Sequence, residues 1–444
     1  MKNIIAAVEK YRALILDAER YVWQNPETGY KEVKTSKYMA EKFESLGYKL
    51  TYAEGITGFY TRIDTGREGP EVLVLGELDS IICPAHRDAD PATGAVHSCG
   101  HNVQCAALLG VAAALTDEKV LSELSGAIRL CAVPAEELLE IEYRTKLKAE
   151  GKIKYFGGKS EFLHRGYFDG VDLAFMVHAS KSYCATKGSV GCITKTINYK
   201  GVASHAGGSP QLGKNALYAA TCGINAVNAI RETFVENDRI RIHPIITNGG
   251  DMVNAIPADV KLESYVRGYT FEAIADANKK MNRALVGAAI SLGNNIEITD
   301  APGYSPLINS EEMLKVVGEA AEMAIPEENY EYKDVIGTGC TDMGDLSCIM
   351  PAVHPYSGGT GGHSHGSDYE VCDPEVACVK NAKWQMAMLK ILLGNGAARA
   401  KEIVANFKPM FESKEAFLEY QDSLNRSGER VTYREDGTVE AIID

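Results

Sequence analysis

Apolar and polar residues repeat with two different periods along this chain of 444 residues. Residues 3–23 and 34–46 carry apolar positions at helical spacing, and each stretch stops at turn-forming residues. Short apolar runs rich in β-branched residues predict buried strands at Glu71–Gly76, Ile128–Val133 and Asp172–His178. Because strands that alternate with helices pair in parallel, this part of the chain predicts an α/β fold.

A strict alternation of apolar and polar residues replaces this pattern in the middle of the chain and predicts half-exposed antiparallel strands. The predicted strands are 192–199, 240–247 and 260–267, and the predicted helices are 214–232 and 271–291. This β-α-β-β-α-β order predicts a small ferredoxin-like α+β domain. We therefore expect one discontinuous α/β domain of residues 1–186 and 305–444, interrupted by an inserted domain of residues 187–304.

Charge and cysteine usage narrow the function classes. The 46 Lys and Arg against 60 Asp and Glu give a net charge of −14, which disfavours binding to nucleic acid or to an anionic membrane. The first 20 residues carry charges throughout and do not resemble a signal peptide, and no apolar stretch is long enough to span a membrane. The 11 cysteines lie mostly in apolar runs, as reduced thiols of a cytoplasmic protein do.

Polar residues with acid–base or metal-binding chemistry follow the predicted strands or open the helix after one of them. These residues are Asp79, Cys99, His101, Glu136, Glu137 and His178. In an open α/β sheet the carboxyl ends of the strands border one crevice, so we expect these side chains to form one site. Sulfur and nitrogen ligands suit zinc and other first-row metals. The sequence therefore predicts a metal centre at this edge of the sheet.

Several motifs follow one another in the order of a known family. They are Glu77-Leu78-Asp79, His97-Ser98-Cys99-Gly100-His101-Asn102, Pro134-Ala135-Glu136-Glu137, Val177-His178, residues 201–210, Asn254-Ala255-Ile256-Pro257 and His365-Gly366-Ser367-Asp368-Tyr369. This ordered set resembles the aminoacylase/carboxypeptidase-G family of metallopeptidases, in its amidohydrolase branch. Asn102 and the segment 341–345 make the chain most similar to the aminobenzoyl-glutamate hydrolase and related dipeptidase group. The resemblance implies a zinc-peptidase-like α/β catalytic domain with a mixed sheet, and a homodimer formed through the inserted domain.

The resemblance also implies the ligands of two divalent metal ions, zinc or manganese. The implied ligands are Cys99, His101, Glu137, His178 and His365. His363 lies close to His365 in the sequence and is the alternative last ligand. The family pattern of a histidine followed by an acid and an aromatic residue favours His365.

Roles in catalysis and substrate binding follow from the same resemblance. Glu136 is implied as the general base, and His205 as the residue that stabilises the oxyanion. Asp79 is implied to orient a metal-bound histidine, although the sequence does not say which one. Asn254 and Arg267 are implied to hold a free carboxylate of the substrate, since a guanidinium fits a carboxylate through two hydrogen bonds.

These residues predict a metal-dependent amidohydrolase in which a two-metal-activated water cleaves the amide bond of a small molecule. An N-acyl amino acid, an aminobenzoyl-glutamate-like compound or a dipeptide would each fit. The alternative is a non-catalytic metal-binding or scaffolding homologue, which would have lost a base or a ligand, and none is lost. A thiol redox enzyme is disfavoured because the sequence contains no Cys-x-x-Cys motif.

Overall fold

The computed structural model describes residues 1–443, which form two compact units. The first unit comprises Met1–Gly188, Leu307–Gly337 and Thr341–Lys414. The second unit comprises Ser189–Pro306, Thr338–Cys340 and the residues from Glu415 onward. No helix within residues 1–443 is both long enough and apolar enough to cross a bilayer.

The regular elements are numbered here in chain order. The α-helices are α1 (Lys2–Lys10), α2 (Arg12–Trp23), α3 (Val33–Ser45), α4 (His101–Ala114), α5 (Glu118–Leu121), α6 (Ile141–Ala149), α7 (Gly158–His164), α8 (Ala216–Ala229), α9 (Phe271–Ser291), α10 (Glu311–Ala324), α11 (Met343–Ser347), α12 (Asn381–Leu393), α13 (Ala398–Asn406) and α14 (Lys414–Ser423). The strands are β1 (Thr51–Tyr52), β2 (Phe59–Asp64), β3 (Glu71–Glu77), β4 (Ile81–Ile82), β5 (Ala95–Val96), β6 (Ala127–Val133), β7 (Leu173–Phe175), β8 (His178–Ala179), β9 (Cys184–Ser189), β10 (Gly191–Lys200), β11 (Arg241–Ile242), β12 (Ile245–Asn248), β13 (Asp259–Gly268), β14 (Asn295–Pro302), β15 (Leu307–Ile308), β16 (Glu331–Gly337), β17 (Ala352–Val353), β18 (Tyr356–Ser357), β19 (Thr360–Gly361), β20 (Glu370–Val371), β21 (Arg426–Glu429), β22 (Val431–Tyr433) and β23 (Val439–Ala441).

The main sheet of the first unit has the strand order β1-β2-β6-β3-β7-β17. Strands β6, β3, β7 and β17 pair in parallel, whereas β2 pairs antiparallel to β6 and β1 antiparallel to β2. Every residue of β3 and β6 is buried, as a strand covered on both faces requires. Helix α4 is buried along its whole length between β3 and helices α2 and α12. The structure confirms the predicted mixed α/β fold and places α4 at its centre.

The second unit is an antiparallel sheet of order β11-β13-β10-β14-β21, with β12 also paired to β13. Helices α8 and α9 pack together and against the sheet, and their contact is filled by apolar residues such as Val227, Met281 and Leu285. The order β10-α8-β11/β12-β13-α9-β14 is the predicted β-α-β-β-α-β arrangement. The expected ferredoxin-like α+β fold is therefore confirmed.

Several boundaries differ from the sequence prediction for identifiable reasons. The predicted helix 3–23 is broken at Tyr11, whose backbone φ of −105° lies outside the helical range. The predicted strand 172–178 divides because β8 leaves the main sheet and pairs in parallel with β18. The residues from Glu415 onward, expected from the sequence to belong to the α/β domain, instead group with the second unit, where β21 extends the sheet beside β14.

Candidate metal centre

The candidate site residues of the first unit stand at the ends of strands or in the loops that follow them. Asp79 follows β3, Cys99 and His101 lie at the start of α4, Glu136 and Glu137 follow β6, His178 opens β8, and His365 lies between β19 and β20. Gly100 has a positive φ of 87° and precedes α4, and a side chain there would collide with Ala179 and Tyr369. A glycine at this position therefore allows the Cys99–His101 turn to approach β8 closely.

Two groups of potential metal-binding atoms share the Cys99 thiol. One group is Cys99, His101 and His178, and the other is Cys99, Glu137 and His365. Within each group the candidate ligand atoms all lie within 4.8 Å of one another. The Cys99 Sγ atom is 3.4 Å from His178 Nε2, and Glu137 Oε1 is 3.1 Å from His365 Nε2. The structure thus brings together all five residues predicted as ligands.

The rings of His101, which is buried, and of His178, which is half-buried, are each held in a defined orientation by a backbone oxygen. His101 Nδ1 donates to the carbonyl oxygen of Asp79 at 2.9 Å, and the Asp79 carboxylate lies 3.2 Å from the same nitrogen. His178 Nδ1 donates to the carbonyl oxygen of Ala179 at 2.9 Å. Since Nδ1 carries the proton in both rings, Nε2 of each ring is left as a lone-pair donor. Asp79 therefore orients His101; the sequence alone did not show which histidine Asp79 contacts.

These residues fit a divalent metal ion. The buried His101 Nε2 atom makes no hydrogen bond, and with the proton on Nδ1 its lone pair lies 3.1 Å from the Glu77 carboxylate, a contact that a bound cation would make favourable. Burial and the Glu137 carboxylate raise the pKa of the Cys99 thiol, but the His178 and His101 rings outweigh them and lower it to about 6. A thiolate, imidazoles and a carboxylate form a donor set that zinc and related first-row metals favour.

Glu136 lies beside the candidate ligands without belonging to either group that contains Cys99. Its Oε2 atom is 3.8 Å from His101 Nε2, and the residue is buried. Burial, and then the carboxylates of Glu77 and Glu137, raise the pKa of Glu136 well above its usual range. A carboxylate whose pKa is raised in this way is a stronger base than an exposed carboxylate and is suited to taking up a proton.

A buried ion cluster behind the site was not identified as functional from the sequence. Lys159 Nζ contacts Glu77 Oε1 and Asp342 Oδ1, each at 2.5 Å, and all three side chains are fully buried. The Glu77 Oε2 atom lies 3.1 Å from His101 Nε2, so the cluster borders the candidate ligands. Glu77 and Asp342 lie in sequence motifs of the family, so their positions could have indicated a role near the site. Lys159 offered none, because a lysine in a charged stretch is ordinarily exposed.

The two histidines that competed as the last ligand occupy different environments. His365 faces Glu137, and its backbone nitrogen donates to the Ser98 carbonyl oxygen at 2.9 Å. His363 has 82% of its side chain exposed and pairs with Asp368 instead. His365 also has a positive φ of 62°, a costly backbone conformation for a residue with a side chain, which the hydrogen bond to Ser98 helps to hold. The geometry favours His365.

Three predicted residues lie in the second unit and are not members of this cluster. His205 and Asn254 are neighbours there. The Ala206 nitrogen donates to the Asn254 carbonyl oxygen, and His205 forms an isolated antiparallel β-bridge with Ala255. The His205 Nδ1 atom accepts hydrogen bonds from the backbone nitrogens of residues 207 and 208. Arg267 lies on β13, where its guanidinium donates to the Thr338 carbonyl oxygen at 3.4 Å.

Comparison with known proteins identifies the family of this chain. Residues 77–390 match the model of the Peptidase family M20/M25/M40. The chain is 29% identical to mouse Xaa-Arg dipeptidase over 80% of its own length and 78% of the relative. It is 27% identical to a p-aminobenzoyl-glutamate hydrolase chain of Escherichia coli over 66% of its own length and 58% of the relative.

Solved structures show the same fold. A dinuclear metal-binding peptidase of the M20 family from Bacillus subtilis superposes with a TM-score of 0.64 at 20% identity, covering 87% of this chain and 99% of the other. An aminobenzoyl-glutamate utilization protein from Klebsiella pneumoniae gives a TM-score of 0.65 at 17% identity, with coverages of 87% and 97%. The resemblance predicted from the motifs is confirmed. The chain belongs to the Peptidase family M20/M25/M40.

Proposed function

We propose that this chain hydrolyses the amide bond of a small molecule whose amine-side portion carries a free carboxylate. N-acyl amino acids, aminobenzoyl-glutamate-like compounds and dipeptides are the substrate classes that fit. The observation that supports this most strongly is the sharing of Cys99 between two groups of candidate ligands, with the Glu136 carboxyl beside them. Membership of a peptidase family and the hydrolases among the relatives point the same way.

Two divalent ions, zinc or manganese, would be held by residues of the first unit. Cys99, His101 and His178 would hold one ion, and Cys99, Glu137 and His365 the other. When bound, such ions polarise the amide carbonyl and lower the pKa of a water molecule.

Glu136 is the residue that we assign to proton transfer. Its carboxylate would take a proton from the attacking water and then deliver it to the nitrogen of the leaving amine. The raised pKa of Glu136, caused first by burial and then by Glu77 and Glu137, favours the step in which its carboxylate takes up the proton. Asp79 supports the arrangement from behind, because its carboxylate accepts from the Glu137 backbone nitrogen at 2.8 Å while also lying beside His101.

The second unit would supply groups that recognise the substrate. Because His205 Nδ1 accepts two backbone hydrogen bonds, its proton resides on Nε2, which can therefore donate to a developing oxyanion. We propose that Asn254 and Arg267 bind the free carboxylate of the substrate. The planar guanidinium of Arg267 offers the paired donors that a carboxylate accepts.

A hydrolysis screen tests this proposal. Aminobenzoyl-glutamate, dipeptides ending in arginine and N-acetyl amino acids are each offered with a free carboxylate and as the corresponding amide. We expect turnover only of the free acids. We also expect Arg267→Met to raise KM, while Arg283→Met, at an exposed position on α9, leaves it unchanged. Equal rates on acids and amides would show that the carboxylate role of Arg267 is wrong.

We also propose a homodimer formed through the second unit. Large apolar side chains are exposed there at Leu212 (68%), Tyr218 (64%), Ile245 (50%) and Val253 (100%). Strand β12, which contains Ile245, is exposed at every residue and pairs only with β13 among the described strands. An exposed strand with apolar side chains is a surface that a second chain can cover.

The cysteines support a cytoplasmic location, which we propose for the protein. Cys105 in α4 and Cys131 in β6 are fully buried. Burial raises the pKa of the Cys105 thiol to about 12, so this thiol stays protonated and unreactive. Buried thiols of this kind are typical of proteins from a reducing compartment.

A further inference from the structure

The turn after β6 carries both Glu136 and Glu137 and has an unusual backbone. Ala135 has a φ of 57°, in the left-handed region that residues with a side chain seldom adopt. The chain therefore leaves β6 in a conformation that the sequence at this point does not favour. Such a conformation persists only where surrounding groups hold it.

Buried polar side chains hold this turn by its backbone atoms. Glu32 Oε1 accepts from the Ala135 nitrogen at 2.8 Å, and Asp79 Oδ2 accepts from the Glu137 nitrogen at 2.8 Å. The guanidinium of Arg144 donates to the Glu137 carbonyl oxygen, and at 3.3 Å to the Ala135 carbonyl oxygen. Hydrogen bonds to both backbone polar atoms of Ala135 and of Glu137 thus fix the direction in which the turn leaves the strand.

Arg144 reaches the turn from a helix that is otherwise largely polar. It lies on α6 and is only 1% exposed. Its guanidinium also donates to the Phe156 carbonyl oxygen at 2.7 Å. A Cβ atom at Gly29 would collide with the Arg144 guanidinium and touch Ala135, so the sequence leaves space for this group with a glycine.

A second anchor fixes the start of α6. Glu140, the residue before the helix, has its carboxylate 2.6 Å from both Thr28 Oγ1 and Lys31 Nζ. These contacts tie α6 to the segment that also contains Gly29 and precedes Glu32. The helix is thereby positioned so that Arg144 points at the turn.

We propose that Arg144 is a positioning residue that sets the orientation of Glu136 and Glu137. A guanidinium has five N–H donors spread over a fixed planar fork and can reach carbonyl oxygens that lie apart, whereas the three donors of an ammonium all radiate from one nitrogen. Arg144 acts through the backbone of the turn, by donating to the carbonyl oxygens of Ala135 and Glu137. The expected effect of Arg144 on kcat rests on the proposed amide hydrolysis. Its expected effect on metal binding by Glu137 rests on the geometry alone.

The test uses the full-length protein with Arg144→Lys and Arg144→Ala, and with Lys146→Met as a control on the same helix, where 74% of the side chain is exposed. We expect both Arg144 variants to lower kcat about 10- to 100-fold with KM changed less than about twofold. We expect their affinity for zinc, measured by competition with a chromogenic chelator, to fall about 10- to 100-fold. The control should match the unsubstituted protein in both measurements.

Chemical rescue separates positioning from a general loss of stability. Guanidinium chloride, at concentrations that leave the fold intact, should restore kcat and zinc affinity in Arg144→Ala, whereas methylammonium, which has the charge without the fork, should not. Unchanged kcat and zinc affinity in both Arg144 variants, or losses that guanidinium does not reverse, would overturn the proposal.

A further variant keeps the test valid if Arg144→Ala does not fold. Gly29→Ala retains Arg144 and displaces its guanidinium, and should lower zinc affinity in the same direction. Unchanged zinc affinity in this variant would count against the proposal. If the unsubstituted protein cleaves no amide, the proposed function fails, and the zinc affinities still decide whether Arg144 positions Glu137.

Discussion

The two units of this chain depart in different ways from the rule that apolar side chains are buried and charged side chains are exposed. The first unit buries charged side chains completely, among them Glu77, Asp79, Lys159 and Asp342. The second unit exposes large apolar side chains on α8, on β12 and in nearby loops. Buried charge is costly unless it is paired, and exposed apolar surface is costly unless it is covered. The first feature suits chemistry and the second suits association with another chain.

The second unit also contains a buried charge, and it shows why burial alone does not identify a site. Lys195 is paired with Asp300 and also donates to the Asn282 side-chain oxygen. Across residues 1–443, the groups of candidate metal-binding atoms all lie in the first unit, and none includes these residues. A buried ion pair without cysteine, histidine or an unsatisfied donor is a structural feature.

The largest effect is expected from removing the thiol that the two groups share. Cys99→Ala should lower kcat/KM about 1000-fold, because metal ions contribute several kcal/mol of charge stabilisation. Bound metal, measured by mass spectrometry of the purified protein, should fall at the same time. Cys372→Ser, at an exposed thiol of the same unit, serves as the control. Full activity in Cys99→Ala, or in protein stripped by a chelator, would contradict a catalytic metal centre.

A smaller but still large effect is expected on folding stability at the buried ion cluster. Lys159→Met leaves the carboxylates of Glu77 and Asp342 facing each other without a cation. Urea denaturation should show a loss of about 3–5 kcal/mol in the free energy of unfolding. Adding Asp342→Asn to this variant should recover part of the loss. A loss below about 1 kcal/mol would mean that the cluster is not a tightly coupled unit.

Glu32 should make the stability of the first unit depend on pH. Burial, and then the Asp79 carboxylate, raise the pKa of Glu32 from 4.5 to about 8. The folded protein therefore binds a proton at Glu32 more tightly than the unfolded chain does, and this adds to the free energy of unfolding. The contribution is complete below pH 4.5 and is lost as the pH rises through 8. The Glu32→Gln variant has no titrating group at this position. Its free energy of unfolding, relative to that of the unsubstituted protein, should therefore increase with rising pH by at most about 1.4 kcal/mol per pH unit across this range. Parallel thermal melting curves at about pH 5, 6, 7 and 8 would show no such trend if Glu32 were ionised throughout.

The smallest effect on folding is expected at the exposed surface of the second unit. Ile245→Lys should convert the proposed dimer to a monomer in light scattering, while changing the free energy of unfolding of the monomer by less than about 0.5 kcal/mol. Val335→Lys in the first unit is a matched control, because Val335 is 49% exposed and Ile245 is 50% exposed. A variant at Ile245 that keeps the size of the unsubstituted protein would place the interface elsewhere.

The sequence was sufficient to predict the architecture and to nominate ligands that the fold brings together. Fully apolar runs such as β3 and β6 mark strands covered on both faces, and residues at their carboxyl ends converge for topological reasons. Alternating runs marked β10 and β13 of the second unit equally well, whereas the predicted strand 240–247 is divided into β11 and β12, and every residue of β12 is exposed. These signals are local, and the order of the motifs along the chain added specificity that no single motif has.

The supporting residues could not be predicted, because their role depends on distant contacts. Arg144 and Lys159 lie in charged stretches that look like exposed surface, and each is buried only because the fold brings carbonyl oxygens or carboxylates to it. The left-handed Ala135 carries no sequence signal either, since glycine or asparagine is the usual residue there. The C-terminal strand β21 pairs with β14 through backbone hydrogen bonds. Its sequence is short and largely exposed, so no pattern of side chains predicts this pairing.

The proposed mechanism depends most on Glu136, which would transfer the proton at a metal centre held by other residues. The most direct measurement compares kcat and metal content in Glu136→Gln and the unsubstituted protein, on the best substrate of the hydrolysis screen. We predict that metal content and fold are unchanged and that kcat falls about 100- to 10,000-fold, as expected for loss of general acid–base catalysis. A kcat within about threefold of that of the unsubstituted protein, with metal still bound, would mean that Glu136 does not transfer the proton.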